Sequence, residues 1–349
     1  MVDYLIVGAG LAGIGLAHTL RSKGRSFVVI DDGSQKSSSV AGGMYNPVIL
    51  KRFTPVWQAD AQLAKLAPFY ADMEDFLGCS LNFPLPVYRI FSSVEEQNNW
   101  FSATDNPLLQ PYMSSNIRKN SYTTINAPYG FGEVLHAGRV DFGKAQQDYK
   151  RRLKEEGLFY EETFDYTAIT SDVDGVTYKN IRAKHLVFCE GYGLKNNPFF
   201  NYLPLRGTKG QVLIIRSEEL NVNEVIKSGA FIIPLGDNMY KIGATYEQDD
   251  KTQNVTEEAK NELLRKLKNF MNCSFELISQ EAGIRPTVSD RRPLVGAHPE
   301  YNNIYIINGL GSRGVMIAPY VAEQLYQFIE AKEPLEAAIS IDRFKRYYS

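Results

Sequence analysis

The first hydrophobic run of the chain is followed directly by a glycine-rich segment. Residues 4–7 are apolar, and three glycines fall within residues 8–13. A second apolar run at 27–30 ends at Asp31. Short apolar runs of this kind are typical of buried parallel strands, and a glycine-rich turn between them permits a helix to begin at once. The pattern therefore predicts a strand, a helix and a second strand at the start of the chain.

The same order recurs near the other end of the sequence. An apolar run at 304–307 precedes the glycine-rich segment 308–314, and a helical pattern of apolar residues follows over 315–329. The amino terminus of a helix carries about half a positive charge and offers free backbone N–H groups. The sequence thus predicts a second helix start that faces a ligand.

Shorter patterns fill the middle of the chain. Asp141 is placed to cap a helix through Lys154, and 186–191 is similar to another buried parallel strand. Three strand-like runs follow at 211–216, 230–235 and 239–246, with a hairpin signal at 236–238. Amphipathic patterns also predict a helix near Trp57–Leu77, interrupted at Pro68, and another that begins at Thr256.

The first glycine segment has the spacing of a dinucleotide fingerprint. Gly8 permits the tight turn, Gly10 lets the backbone approach a pyrophosphate, and Gly13 allows close packing of helix and strand. Asp31 follows the second strand, where a carboxylate accepts hydrogen bonds from a ribose. Because strand, glycines, helix and acid occur in the required order, the segment predicts dinucleotide binding.

Several further segments resemble the D-amino-acid-oxidase-like (DAO) family of FAD-dependent oxidoreductases. This family includes glycine oxidase, sarcosine oxidase and the flavin domain of the bifunctional enzyme that modifies the wobble uridine of tRNA. The segments that carry the resemblance are Ser38–Met44, Gly138–Asp141, Leu205–Gln211, Gly283–Pro286 with Asp290 and Pro293–Gly296, and Gly309–Gly314. Together they extend over almost the whole chain, so the family resemblance is specific while the substrate stays open.

The resemblance implies an α/β fold and a noncovalent FAD. We expect a Rossmann-like FAD-binding domain of the GR2 type and a second domain of mainly antiparallel strands with helices. The implied FAD-binding domain comprises residues 1–45, 138–210 and 283–349, and the implied substrate-binding domain comprises 46–137 and 211–282. The residues expected to bind FAD are Gly8, Gly10, Leu11, Ala12, Gly13, Asp31, Asp32, Ser38, Ser39, Gly42, Gly43, Met44, Gly191, Gly309, Gly311, Ser312, Arg313, Gly314 and Val315.

Four residues are candidates for the substrate site. Arg285 stands where amino-acid-oxidising relatives carry an arginine that pairs with the substrate carboxylate, and a guanidinium fork suits this planar anion. A structural salt bridge, for example with Asp290, is the alternative. Lys241 resembles a lysine that assists the reaction of reduced flavin with oxygen in sarcosine-oxidase-type members, and an ordinary surface lysine is the alternative. Phe231 lies on the predicted strand 230–235, and Tyr240 lies beside Lys241 on the predicted strand 239–246. Both are expected to contact the substrate.

Composition narrows the class of protein without changing this picture. The chain has 38 Lys and Arg against 40 Asp and Glu, so no overall basic field favours a nucleic acid. Its 3 cysteines lack the spacing of a metal site, and no apolar run is long enough for a transmembrane helix. We therefore expect a cytoplasmic protein without metal, and an early first strand leaves no room for a signal peptide.

The sequence favours an enzyme that oxidises the C–N bond of a small amino acid or N-substituted amine. Hydride transfer to FAD would produce an imine, with oxygen or a quinone as the final acceptor. Processing of the tRNA wobble-uridine side chain is an alternative, against which the mildly acidic pI and the lack of a methyltransferase domain count. The sequence is also compatible with an NAD-dependent dehydrogenase and with a flavin-binding module without turnover.

Overall fold

The computed structural model describes residues 1–348 of the protein. Its strands, in chain order, are β1 (Val2–Val7), β2 (Phe27–Ile30), β3 (Met44–Tyr45), β4 (Val48–Ile49), β5 (Thr54–Pro55), β6 (Asn82–Pro84), β7 (Val87–Ile90), β8 (Phe131–Val134), β9 (Gly138–Val140), β10 (Phe159–Tyr160), β11 (Ile169–Asp172), β12 (Gly175–Tyr178), β13 (Ile181–Phe188), β14 (Leu205–Arg216), β15 (Val225–Lys227), β16 (Phe231–Gly236), β17 (Met239–Gly243), β18 (Glu276–Val288), β19 (Leu294–Ala297) and β20 (Ile304–Asn308). The α-helices are α1 (Leu11–Ser22), α2 (Ser37–Val40), α3 (Ala59–Leu77), α4 (Val94–Thr104), α5 (Phe142–Glu155), α6 (Glu257–Lys268) and α7 (Gly314–Glu330).

A mostly parallel sheet contains the first strands of the chain. Strands β10, β2, β1, β13 and β20 lie side by side in parallel, with β12 and β11 antiparallel beside β13 and β19 antiparallel beside β20. Because parallel strands end at the same edge, the turns that follow β1, β2, β13 and β20 meet there. Ligands of open α/β sheets bind at this edge.

A second sheet is mainly antiparallel and has the order β18-β14-β17-β16-β15-β7-β8. Its apolar side packs against α6, so that Leu213 and Ile242 of the sheet share a buried cluster with Leu263 and Leu267 of the helix. Short strands form two smaller sheets, one of β3, β9 and β6 and one of β4 and β5. The predicted α/β fold class, with a Rossmann-like half and an antiparallel half, is confirmed.

Three local predictions are confirmed and one is wrong. Asp141 caps α5 by accepting a hydrogen bond from Lys144 N at 3.1 Å, Thr256 caps α6, and the β16–β17 hairpin turns at residues 237–238. Pro68 does not interrupt α3, which continues through it. The proline lies on the exposed side of this helix, so water can solvate the carbonyl group that loses its partner, while Tyr70 keeps the other side anchored in the core.

Two of the predicted domain boundaries lie inside strands of the second sheet. The boundary at 210/211 falls inside β14 and the one at 282/283 inside β18, and both strands belong entirely to the second sheet. The division of the chain into two domains otherwise stays a prediction. Among the described residues, no helix combines the length and the apolar character that a membrane span requires.

Candidate active site

One cavity connects the two sheets and gathers most of the predicted site residues. It has a volume of about 640 Å³ and lies between the carboxyl ends of the parallel strands and one face of the second sheet. The predicted residues that line it are Gly8, Gly10, Leu11, Ala12, Asp31, Asp32, Ser38, Gly42, Gly43, Met44, Gly191, Phe231, Lys241, Arg285, Gly311, Ser312, Arg313, Gly314 and Val315. Its size is within the range of small-molecule and cofactor sites.

Four predicted residues do not line this cavity. A Cβ atom at Gly13 would lie 1.8 Å from the carbonyl oxygen of Gly8, so Gly13 serves the packing of α1 on the turn. Gly309 packs against Val288. Ser39 is exposed, and its hydroxyl donates a hydrogen bond to Lys36 O at 3.0 Å. The fourth residue is Tyr240.

The expectation that Tyr240 contacts substrate is corrected by the alternation of side chains along β17. Lys241 and Gly243 face the cavity, whereas Tyr240 and Ile242 point to the other side of the sheet, into the cluster beneath α6. The Tyr240 hydroxyl oxygen lies 3.4 Å from the backbone N–H of Val222, which donates to it. Tyr240 is therefore a core residue of the second sheet.

The glycine turn after β1 has the close approaches that its sequence predicts. Gly8 has a φ of 99°, and a Cβ atom there would lie 2.5 Å from the carbonyl oxygen of Cys189. Helix α1 begins at Leu11, whose N–H donates to Ser38 Oγ at 3.1 Å. The positive end of α1 also faces the cavity, which Gly10, Leu11 and Ala12 line, so an anion such as a pyrophosphate can be held there.

Asp31 directly follows β2, and each of its two carboxylate oxygens has a partner within the protein. Its Oδ1 accepts a hydrogen bond from Ala9 N at 3.0 Å, and its Oδ2 pairs with the Lys150 ammonium at 2.5 Å. Gln146, one turn before Lys150 on α5, donates to Ala9 O at 2.7 Å. The sequence reasoning missed Lys150 and Gln146, although their spacing of four places both on one side of α5.

A second helix start meets the first one at the cavity. Asn308 closes β20 and donates through Nδ2 to Gly191 O at 2.9 Å, so the turns after β13 and β20 are joined. Helix α7 begins at Gly314, where a Cβ atom would lie 2.6 Å from Leu11 Cδ1. The positive ends of α1 and α7 therefore both point at the cavity.

Arg285 lines the cavity at the face of the second sheet. Its guanidinium lies directly over Gly210, since a Cβ atom there would be 2.0 Å from Nη2. Both Nη groups donate to Thr245 O at 3.4 Å, and burial lowers the pKa of the guanidinium. Within residues 1–348 no carboxylate forms an ion pair with Arg285, and Asp290 instead pairs with Arg343 at 2.8 Å. The alternative of a salt bridge to Asp290 is therefore wrong.

Lys241 is a buried cavity residue with several neighbours. Its ammonium donates to the carbonyl oxygens of Val40 at 3.0 Å and Ala41 at 3.3 Å, and Glu281 Oε2 lies 3.8 Å away. Burial lowers its pKa, while the charge of Glu281 raises it. The lysine thus ties the second sheet to the segment after α2, which forms one wall of the cavity.

Glu190 is a half-buried acid for which the sequence predicts no role. It lines the cavity after β13, and its carboxylate accepts hydrogen bonds from the Tyr166 hydroxyl and from Asn197 Nδ2, the latter at 2.6 Å. Burial raises its pKa to about 7, and the nearby charge of Asp32 also raises it. The neighbouring Cys189 also lines the cavity, where burial raises the pKa of its thiol.

We expect Glu190 to make stability fall as the pH rises. In the folded protein its carboxyl group holds a proton up to about pH 7, whereas its ordinary pKa of 4.5 applies after unfolding. The folded state therefore binds the extra proton between these two values, and deprotonation in this window costs roughly 1 to 3 kcal/mol. Thermal unfolding of wild type and Glu190→Gln across the window checks this. An equally steep pH dependence in both proteins would contradict it.

Comparison with known proteins is consistent with this geometry. The DAO family model, described as FAD-dependent oxidoreductase, matches residues 3–327. The chain is 25% identical to the tRNA 5-methylaminomethyl-2-thiouridine biosynthesis bifunctional protein MnmC of Idiomarina loihiensis, over 98% of this chain and 59% of that protein. The chain therefore spans little more than half the length of this relative.

Two glycine oxidases match over nearly their whole length. Glycine oxidase of Bacillus subtilis is 19% identical, over 95% of this chain and 94% of that protein. The crystal structure of glycine oxidase from Geobacillus kaustophilus superposes with a TM-score of 0.80 at 19% identity, covering 98% of this chain and 97% of that one. Since the family model matches almost the whole chain, the protein belongs to the DAO family of FAD-dependent oxidoreductases, and its cofactor is FAD.

Proposed function

We propose that the protein oxidises the C–N bond of a small amino acid or N-substituted amine that carries a carboxylate. The observation that carries this proposal is Arg285, a guanidinium that faces the cavity and, among the described residues, bonds only to the carbonyl oxygen of Thr245. A partly buried cation of this kind is well placed to hold a planar carboxylate through two parallel hydrogen bonds. The glycine oxidases among the relatives support a substrate of this class.

Two groups of cavity residues fit two parts of FAD, the pyrophosphate with its ribose and the flavin ring. The N–H groups at the start of α1 would hold the pyrophosphate, and Asp31 would accept hydrogen bonds from the ribose. The segment 42–44 and the loop 311–315 would enclose the flavin ring, since both line the cavity next to the second sheet. When bound, FAD would supply the acceptor for a hydride from a C–H bond next to nitrogen, and water would hydrolyse the imine that this leaves.

The remaining work of the protein is orientation and exclusion of water. Arg285 would fix the carboxylate, so that the C–H bond next to the nitrogen points at the cofactor. Phe231 and Ile233 line the cavity beside Lys241 and would shield the reacting carbon. We also propose that Lys241 assists the reaction with oxygen, because its ammonium adds a positive charge where superoxide would develop.

An anaerobic reduction assay tests the proposed oxidation. Glycine, sarcosine and N-substituted glycines are mixed with the purified protein while the flavin absorbance is recorded. We expect at least one carboxylated amine to bleach the flavin. If the flavin stays oxidised with every amine, the alternative of a flavin-binding module without turnover is favoured. Readmission of oxygen or of a quinone then shows which acceptor restores the colour.

We predict that FAD is bound noncovalently. Of the three cysteines, only Cys189 lines the cavity, where it lies against the turn at Gly8, and neither 285–296 nor 309–314 contains a cysteine. A thioether to the flavin ring is therefore not expected. The protein should purify yellow, and acid precipitation should release intact FAD into the supernatant. Yellow colour that stays in the protein pellet would contradict the prediction.

Processing of a tRNA wobble uridine is a second candidate function. Its support is the match of 98% of this chain to part of a relative whose name states biosynthesis of tRNA 5-methylaminomethyl-2-thiouridine. A carboxymethylamino group on a base would present to the cavity the same chemistry as glycine. The alternative of an NAD-dependent dehydrogenase is wrong, since the family uses FAD.

We also propose a cytoplasmic location. Its support is that all three cysteines are free in the structure, as is usual for proteins of a reducing compartment. Fractionation of the native host cells tests this, and recovery with the secreted or membrane-bound proteins would contradict it.

A further inference from the structure

Glu190 adjoins both places in the cavity that would hold the AMP half of FAD. A Cβ atom at Gly8 would lie 3.2 Å from Glu190 Cα, so the backbone of this glutamate packs directly against the glycine turn that would face the pyrophosphate. Glu190 is also an electrostatic neighbour of Asp32, which directly follows the proposed ribose ligand Asp31. Since its side chain lines the cavity, Glu190 is in a position to contact this half of the cofactor.

Within the described chain, no cation compensates a charge on Glu190. Both partners of its carboxyl group, the Tyr166 hydroxyl and Asn197 Nδ2, are neutral donors. No lysine, arginine or histidine nitrogen of residues 1–348 lies within 4.0 Å of its oxygens. An ionised Glu190 would therefore be a half-buried charge without a counter-ion, which is unfavourable.

The cofactor would bring further negative charge to this place. Both phosphates of FAD are ionised at neutral pH. The cations that line the cavity, Lys241, Arg285 and Arg313, belong to the second sheet or to the loop before α7, and not to the turns after β1, β2 and β13. An ionised Glu190 would thus add a like charge beside the phosphates, whereas a protonated Glu190 would add none.

A protonated Glu190 would also offer the cofactor a hydrogen-bond donor. A carboxylic acid has one O–H donor and keeps acceptor capacity on its other oxygen. Each of the two oxygens of Glu190 has one partner within the protein, so the group keeps room for a proton and for a further bond on the side of the cavity. Phosphate and ribose oxygens accept hydrogen bonds, and the edge of adenine has an acceptor next to a donor. The AMP half therefore fits the acid better than the carboxylate.

The surroundings of Glu190 let it lose its proton near neutral pH, while its titratable neighbours keep their charge. Burial raises the pKa of Glu190 to about 7, and the charge of Asp32 also raises it. Burial likewise raises the pKa of the Tyr166 hydroxyl and of the Cys189 thiol. Against the effect of burial, hydrogen bonds lower the pKa of Asp32, and a hydrogen bond from a lysine lowers that of Glu162. Glu190 is thus the group of this part of the cavity that titrates near pH 7.

We propose that Glu190 binds the AMP half of FAD as a neutral carboxylic acid that donates a hydrogen bond, so that the protein takes up its cofactor together with a proton. Linkage gives the sign of the effect. If the protonated form binds FAD better, loss of the proton weakens binding, and bound FAD in turn holds the proton to a higher pH. The inference concerns cofactor binding and is independent of which amine is oxidised.

The test measures the release of FAD from the FAD-loaded protein at a series of pH values from about 6 to about 9. The protein is diluted stepwise and free FAD is detected by its fluorescence, so that each series gives a dissociation constant. Glu190→Gln is the main variant, because the amide keeps a donor and an acceptor but does not ionise. The matched control is Glu162→Gln, which removes another acid that lines the cavity but is already paired with Lys179 at 2.9 Å.

In the wild type, we expect the dissociation constant of FAD to rise about tenfold for each unit of pH above 7. Glu190→Gln should bind FAD with nearly the same affinity throughout, close to that of wild type at the lowest pH. Glu162→Gln should keep the pH dependence of wild type. In Tyr166→Phe the affinity should begin to fall at a higher pH, because the hydrogen bond from this hydroxyl lowers the pKa of Glu190.

A dissociation constant of wild type that does not change with pH would overturn the inference. So would a pH dependence that persists in Glu190→Gln, because another group would then be the one that titrates. If Glu190 only supported the turn at 191–197, wild type and Glu190→Gln would differ by the same factor at every pH, which would refute its role as a donor. No substrate is present in these measurements, so their outcome is separate from that of the anaerobic reduction assay.

Discussion

Replacement of Arg285 by alanine should lower kcat/KM for a carboxylated amine about a hundredfold. A partly desolvated, bidentate pair between guanidinium and carboxylate is worth roughly 3 kcal/mol or more, which corresponds to this loss. Arg285→Lys keeps the charge but loses the fork, so it should fall between alanine and wild type. Steady-state kinetics of the three proteins with the best substrate of the anaerobic screen measures the order.

A matched pair of substrates separates substrate binding from a structural role of Arg285. The carboxylated amine should lose activity in Arg285→Ala, while its decarboxylated analogue should react about as it does with wild type. The FAD content should stay normal, because the side chain is assigned to the substrate. Equal losses on both amines, or a drop in FAD content or melting temperature, would refute the carboxylate-binding role. Arg285 also bonds to Thr245 O, so a drop in FAD content or melting temperature would indicate that this structural contact was lost.

Asp31→Ala should weaken FAD binding about ten- to hundredfold without changing the reaction of enzyme resupplied with FAD. Charge-assisted hydrogen bonds to the ribose are worth roughly 1.5 to 3 kcal/mol, which gives this range of affinity. The reaction itself should be unaffected, because the ribose lies far from the flavin ring. Titration of apoprotein with FAD, followed by flavin fluorescence, measures the change in affinity.

Lys150 provides the discriminating variant for Asp31. The carboxylate of Asp31 also pairs with this lysine and accepts a hydrogen bond from Ala9 N, so its loss could act through the shape of the glycine turn alone. Lys150→Met removes the pair but keeps the carboxylate, and we expect a smaller loss of FAD than in Asp31→Ala. Equal losses in the two variants would show that Asp31 acts through the turn. The exposed Asp174→Ala is the control for removal of an acidic side chain.

Local patterns decided much of the parallel half of the fold. The packing of Gly13 on the turn at Gly8, the strand that precedes Asp31 and the helix start at Gly314 involve residues that are close to one another in the sequence, so the motif shows them directly. The caps at Asp141 and Thr256 are local in the same way. These features need no knowledge of distant contacts.

The second sheet was harder to predict because its strands combine across the chain. Strands β14 and β18 pair over their length although about sixty residues separate them. Because local patterns do not show this long-range pairing, the expected boundaries at 210 and 282 fall inside these two strands. The direction in which Tyr240 points follows from the strand register, which a single run of alternating residues does not fix. The sequence therefore located β17 correctly but wrongly predicted that Tyr240 faces the substrate.

By itself, the sequence determined the dinucleotide-binding motif and the α/β class, and most of the site residues that it predicted line the cavity, because short-range spacing encodes them. Only the tertiary structure decided which charges are compensated. It joined Asp31 to Lys150, paired Asp290 with Arg343 and left Arg285 facing the cavity, since ion pairs form between side chains that the fold brings together. The raised pKa of Glu190 has the same origin, because burial is a property of the folded chain and not of the motif.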